Sequence, residues 1–237
     1  MLGFEDLGRP TAVIGQRFPR ETTVRLILLF CLLAWTPAGA EEWRELFNGR
    51  DLSGWKADYD PESFKVVDGT LRIQAAGEKS AHLFFVGSGP DEFVRFKNFE
   101  LQAVVRAEPN SNGGIFVHAD HELRDAARHL AKGYEIQLNS TEKEKRKTGS
   151  LYAIVDLAES PVKETDWFRV NVTVRDKRIV IQLDGQQVVD YTEPVNVERP
   201  PTRAGRRFSA DGGAIALQAH DRGSVWYFKE IRVKPLP

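Results

Sequence analysis

The stretch from Phe168 to Asp190 reads F-R-V-N-V-T-V-R-D-K-R-I-V-I-Q-L-D-G-Q-Q-V-V-D. It decides the fold class. Phe168–Val174 and Arg178–Leu183 are short runs rich in β-branched residues, the composition of strands. Asp184-Gly185 turns the second run into Gln187–Asp190, and an Asp-Gly pair suits the type I′ turn of a tight hairpin. The pattern continues outward in both directions. Phe64–Val67, Asp68-Gly69 and Leu71–Gln74 make another hairpin, and Phe99–Val105, Gly114–His118, Gly133–Leu138, Ser150–Val155, Ala214–His220 and Val225–Val233 read as further strands. About ten short strands separated by turns predict an all-β sandwich or jelly roll of two antiparallel sheets. One segment departs from the pattern. Asp120 as a cap, Leu123, Ala126, Ala127 and Leu130 on one face, and Gly133 as a stop predict a short helical insertion near 121–132. Thr141–Lys147 is almost wholly charged and Pro200–Arg207 is basic, so both read as solvated surface loops.

The chain has 237 residues and a formal net charge of -1. That balance argues against nucleic acid or an anionic membrane as the main partner. Residues 26–33, L-I-L-L-F-C-L-L, follow Arg20 and Arg25 and precede Ala38-Gly39-Ala40. A positive flank, a short apolar run and a small-x-small exit predict a signal peptide over 1–40. The competing reading is a buried N-terminal helix. The signal peptide implies export to the periplasm or outside the cell, with one domain over 41–237 and no stable membrane span after the leader is removed. Cys31, the single cysteine, lies in the apolar run, so the mature domain has no disulfide and no thiolate metal site.

Side chains at i, i+2 and i+4 share one face of a strand. Glu135, Gln137 and Asn139 therefore oppose Tyr134, Ile136 and Leu138. His118 and Phe116 oppose Ile115 and Val117, and Ala216, Gln218 and His220 oppose Ile215 and Leu217. Ser150 and Tyr152 lie together. Carboxylate, amide and imidazole groups are costly to bury unpaired, so such strands want a wet or ligand-filled groove. If they are neighbours, His118, Glu135, Gln137, Tyr152, Gln218 and His220 form one polar face, sufficient for acid–base work or for a metal. Solvent facing one side of an antiparallel sheet explains the same alternation without function. Pro109–Gly114, with Asn112 and two glycines, reads as a sharp turn at the rim of the groove.

The pieces taken together resemble the 3-keto-disaccharide hydrolase family. Leu46–Trp55, L-F-N-G-R-D-L-S-G-W, is similar to its opening. Seven further segments follow in the family's order: Phe64–Gly69, Asn98–Leu101, Asn112–Ile115, Gly133–Gln137, Thr148–Tyr152, Ile215–His220 and Phe228–Ile231. The resemblance covers roughly Glu42 to Leu236. It implies a concanavalin A-like jelly roll with a concave face, a carbohydrate or glycoside partner, and cleavage of glycosides already oxidised at C3. The implied site has Glu135 as general base or metal ligand and His118 and His220 as its acid–base or metal partners. Gln137, Tyr152, Gln218, Asn112 and Asn139 would hold sugar hydroxyls, and a divalent metal ion is left open as cofactor. The sequence also departs from the family pattern. His118 stands at an arginine position, Asn139 near an expected aspartate, and Asp166-Trp167-Phe168 where the family has E-W-N. A non-catalytic carbohydrate-binding module and a structural module of an envelope assembly are the competing readings, since the same sandwich serves both.

Overall fold

A computed structural model describes residues 42–88 and 93–237. The expected leader, with Cys31, lies outside the described residues. The described residues form two antiparallel sheets. The larger contains β1 (Arg44–Glu45), β3 (Phe64–Val67), β4 (Thr70–Ile73), β6 (Phe99–Ala107), β9 (Phe168–Arg175), β10 (Arg178–Leu183), β11 (Gln186–Thr192) and β13 (Trp226–Pro235). Its order is β11-β10-β9-β6-β13-β4-β3, with β1 also paired to β13. The smaller contains β2 (Trp55–Ala57), β5 (Ala81–Phe85), β7 (Asn112–Ala119), β8 (Tyr134–Asn139) and β12 (Ala214–Ala219), in the order β2-β5-β12-β7-β8.

Alternation builds the core. Phe99, Leu101, Val170, Val172, Val174, Ile179 and Ile181 from the larger sheet meet Ile115, Val117, Ile136, Leu138, Ile215 and Leu217 from the smaller one. The two Asp-Gly hairpins have positive φ at both residues, 49° and 75° at Asp68-Gly69 and 47° and 84° at Asp184-Gly185, as a type I′ turn requires. Of the pair Trp226 and Tyr227, Trp226 is core and Tyr227 faces outward, with the Arg106 guanidinium 4.3 Å from its ring centroid.

Two expectations are corrected, and one strand is added. Ser150–Val155 is not a strand. It is a turn that touches β8 through the isolated bridge Ile136↔Leu151, with the Tyr152 N–H donating to the Glu135 carbonyl. β5 escaped the sequence reading because A-H-L-F-F is buried on both faces and carries no alternation. The helix expected near 121–132 does not form. The Asp125 carboxylate accepts the backbone N–H groups of Ala127 and His129, and Arg128 takes φ 69°, so side-chain bonds replace helical ones. The result is an irregular loop closed by the bridge Leu123↔Leu130.

This loop divides the outer face of the smaller sheet. Leu130 packs with Phe84, Phe116, Ala214 and Ala216 into a dry patch. The other end of the face stays polar.

Candidate active site

The polar end is built on one cross-strand row. Gln218 of β12 lies opposite His82 of β5 on one side and Gly114 of β7 on the other, and Gly114 lies opposite Gln137 of β8. Gly114 is extended strand, as the reading of Gly114–His118 expects, but so are Asn112 and Gly113, assigned to the turn, and the positive φ falls earlier, at Asn110. What Gly114 supplies is space. A Cβ there would sit 3.1 Å from Oε1 and 3.2 Å from Cγ of Glu135. Above this floor is a cavity of about 100 Å³ lined by Asn112, Arg124, His129, Glu135, Gln137, Glu144, Tyr152, Gln218 and His220. Six of the eight residues picked from sequence thus converge: Glu135, His220, Gln137, Tyr152, Gln218 and Asn112.

The wall is a connected network. The Gln137 amide donates to Asn112 Oδ1 at 2.9 Å, and Asn112 Nδ2 donates to His220 Nε2 at 3.2 Å. His220 Nδ1 therefore carries the proton and donates to Asp221 Oδ2 at 2.8 Å. Ser224 Oγ donates to the other Asp221 oxygen and accepts the Asn112 backbone N–H. Burial opposes ionisation of Asp221, but the bonds from His220 and Ser224 outweigh it and lower its pKa. On the floor, the side-chain oxygens of Gln137 and Gln218 are buried without a hydrogen-bond donor among the described residues. A buried amide oxygen left unpaired costs about 1–3 kcal/mol, so this site calls for hydroxyl donors from outside the chain.

Two segments read as solvated loops also enter the site. Arg206, from the basic Pro200–Arg207 segment, is 1% exposed and donates to Glu135 Oε2 at 2.9 Å and to the Gly133 carbonyl at 3.3 Å. Its guanidinium stands 5.3 Å from the Phe116 ring centroid, and burial lowers its pKa even beside Glu135. Glu144, from the charged stretch, lines the cavity and accepts the Tyr152 hydroxyl at 3.2 Å. Burial pushes the Tyr152 phenol up, reinforced by Glu144 and Glu135. Glu144 itself is lowered, because the Arg146 backbone N–H and Tyr152 outweigh its burial. Sequence spacing gave no sign of either residue, since a charge in a loop looks alike whether the loop folds outward or inward.

A model of the 3-keto-alpha-glucoside-1,2-lyase-like domain matches residues 42–234. The chain belongs to this family. A 3-keto-disaccharide hydrolase of Bacteroides thetaiotaomicron is 23% identical, over 84% of this chain and 80% of that protein. A crystal structure from Parabacteroides distasonis, provisionally assigned to the glycosyl hydrolases, superposes with TM-score 0.68 at 22% identity, covering 84% of this chain and 95% of that one. The carbohydrate-binding module CBM66 of Bacillus subtilis superposes at 0.50 with 12% identity, over 77% and 96% of the two chains. The concanavalin A-like sandwich and membership of the 3-keto-alpha-glucoside-1,2-lyase-like family are thereby established.

Two residues picked from sequence lie elsewhere in this family member. His118 has φ 54° at a bulge, where Ala216↔Phe116 and Ala214↔Ala119 bracket one extra residue on β7. The bulge breaks the period of two and turns the ring away from the cavity, between Phe99 and Phe208. There Nε2 donates to the Lys97 carbonyl at 2.9 Å and Nδ1 accepts the Ser209 N–H. Asn139 ties down the 140s loop: Nδ2 donates to the carbonyls of Glu144 and Arg146, and Oδ1 accepts the Thr141 N–H. Nor do the donors suit a divalent cation. The Glu135 carboxylate is held by Arg206, each cavity histidine has Nδ1 on an aspartate, and no three acidic, imidazole or thiol groups among the described residues are placed to hold a metal ion together.

The His118 setting carries a prediction. Burial lowers its pKa below 6.5, only partly opposed by the Lys97 and Ser209 backbone groups. Well above pH 6.5 neither state is charged. As pH falls through 6.5 the unfolded chain takes up a proton that the folded chain refuses, so stability is lost in that direction. Urea midpoints measured between pH 7.5 and pH 5.5 should fall less steeply for His118→Gln than for the unsubstituted protein.

Proposed function

We propose that this protein is an exported hydrolase or lyase, periplasmic or extracellular, that cleaves 3-keto-glycosides by base-assisted elimination at the sugar. The observation that carries the reading is the pairing of two unsatisfied amide oxygens, Gln137 Oε1 and Gln218 Oε1, with an aspartate-oriented imidazole in one cavity. The amides take sugar hydroxyls as donors. The His220 Nε2 lone pair, offered to the cavity once a ligand displaces the Asn112 amide, takes the proton.

A ketone at C3 acidifies the hydrogen on C2. Removal of that hydrogen gives an enolate, which expels the group at C1, and water then adds. Such a reaction needs a base and an enolate-stabilising donor or cation, not two carboxylates of opposed ionisation. Ordinary glycosidases need one carboxylic acid with a raised pKa. Glu144 is shifted the other way, and Glu135 is ion-paired with Arg206. Arg124 lines the cavity and is a cation available for enolate charge.

The deciding experiment is an assay of the purified domain on a 3-keto-glucoside and on the same glucoside unoxidised. Turnover of the oxidised sugar alone is the expected result. Turnover of the unoxidised sugar would overturn the reading, and binding without turnover of either would favour a carbohydrate-binding module. Export is tested separately, by sequencing the N-terminus of the protein recovered from the periplasm and medium.

A further inference from the structure

The loop at 121–132 brings a second imidazole–carboxylate pair to the same cavity. His129 Nδ1 meets both Asp125 oxygens at 2.9 Å. Asp125 also accepts the N–H groups of Ala127 and His129 and, at 3.0 Å, Arg124 Nε. Burial opposes its ionisation, but the bonds and charge of His129 together with the bond from Arg124 outweigh it and bring its pKa down to about 2. The carboxylate is anionic at any working pH, so a charged imidazolium has its counter-ion in place.

The loop is held from three sides. Leu130 is buried in the dry patch, and the Ala127 carbonyl accepts the Ser80 N–H at 3.1 Å. Arg128 Nη2 donates to the mostly buried carboxylate of Asp58 at 2.9 Å. With Nδ1 committed to Asp125, Nε2 is the nitrogen left for a ligand. The rings of His129 and His220 have centroids 6.1 Å apart. Each Nε2 has a reach of about 3 Å, which suits bonds on neighbouring carbons of one sugar.

We propose that His129, oriented by Asp125, is the acid that protonates the departing glycosidic oxygen, opposite His220 as the base. This rests on the 3-keto-glycoside reading above. His220 Nε2 takes the proton from C2, and the C–H electron pair becomes the C2=C3 bond of the enolate, with the negative charge on the ketone oxygen. As the ketone re-forms, that pair shifts to C1=C2 and the C1–O bond breaks. Its electrons stay on the glycosidic oxygen, which takes the proton from His129 Nε2. Addition of water reverses the roles. His129 takes a proton from the water as its oxygen bonds to C1, and His220 returns its proton to C2. No oxidant or reductant is consumed.

The test compares two 3-keto-glucosides, one with a methyl leaving group that needs the proton and one with 4-nitrophenol, which leaves without it. His129→Gln should lose about 10²–10⁴-fold in kcat/KM on the methyl substrate and stay near the unsubstituted enzyme on the nitrophenyl substrate. Asp125→Asn, which keeps an oxygen for the loop's backbone N–H groups but removes the negative charge beside His129, should show the same asymmetry at smaller size. Exchange of the C2 hydrogen in D2O should continue in His129→Gln and stop in His220→Gln. The ratio of the two substrates within one preparation is independent of any loss of folded protein. Equal slowing of both substrates, or of neither, overturns the role of His129. If the unsubstituted enzyme cleaves neither substrate, the 3-keto-glycoside reading itself falls, a result distinct from the first.

Discussion

Replacing His220 by glutamine is expected to lower kcat/KM on a 3-keto-glucoside by about 10²–10⁴-fold, the usual contribution of a positioned general base. The urea midpoint should stay close to that of the unsubstituted protein, because the ring is partly exposed at the cavity rim rather than packed in the core. The chain of bonds from Gln137 through Asn112 to His220 and Asp221 fixes one tautomer, with the lone pair on Nε2. Asp221→Asn tests that part separately. An asparagine amide can donate to Nδ1 and drive the proton to Nε2, removing the base without removing the ring. It should therefore cost activity while leaving sugar binding, read by titration calorimetry, nearly intact. A loss below about tenfold in His220→Gln, too little for a general base, removes His220 from the chemistry.

The second large effect is on stability. Arg206→Met is expected to cost about 3 kcal/mol in urea unfolding, because breaking a buried ion pair leaves the other charge uncompensated. Arg206 is 1% exposed and is tied to both Glu135 and the Gly133 carbonyl. Methionine keeps the apolar contact with Phe116 and removes only the charge and the donors. Adding Glu135→Gln to that background should restore part of the loss, since a neutral amide does not need the guanidinium. The double-mutant cycle reads this coupling directly. Additive losses would show that Arg206 acts by packing and not by neutralising Glu135. With the pair broken, activity should fall as well, because Glu135 is no longer held over the space left by Gly114.

The candidate site was legible in proportion to how much of it sits on regular strands. Gln137, Gln218 and Glu135 were readable because period two places them on one face, and the hydrogen-bonded register then made them neighbours. His118 was misplaced because a single bulge residue breaks that period, and nothing in I-F-V-H announces a bulge. The loop 121–132 was misread for a related reason. Its apolar spacing and its cap fit a helix, but the Asp125 side chain competes for the backbone N–H groups and wins. His129 reaches the cavity because of that failure.

By itself the sequence determined most of the strands, the two Asp-Gly hairpins, the sandwich they imply and the family, because alternation and turn chemistry are local properties of the chain. Only the tertiary structure decided which polar residues meet. Glu135 and Arg206 are 71 residues apart and Asn112 and His220 are 108 apart. Contacts of that separation are set by strand order and by how loops fold back over the sheet, and no spacing along the chain encodes them. The same holds for the empty place above Gly114. A missing side chain reads as a turn in the sequence and becomes the floor of a cavity only when Gln137 and Gln218 stand on either side of it.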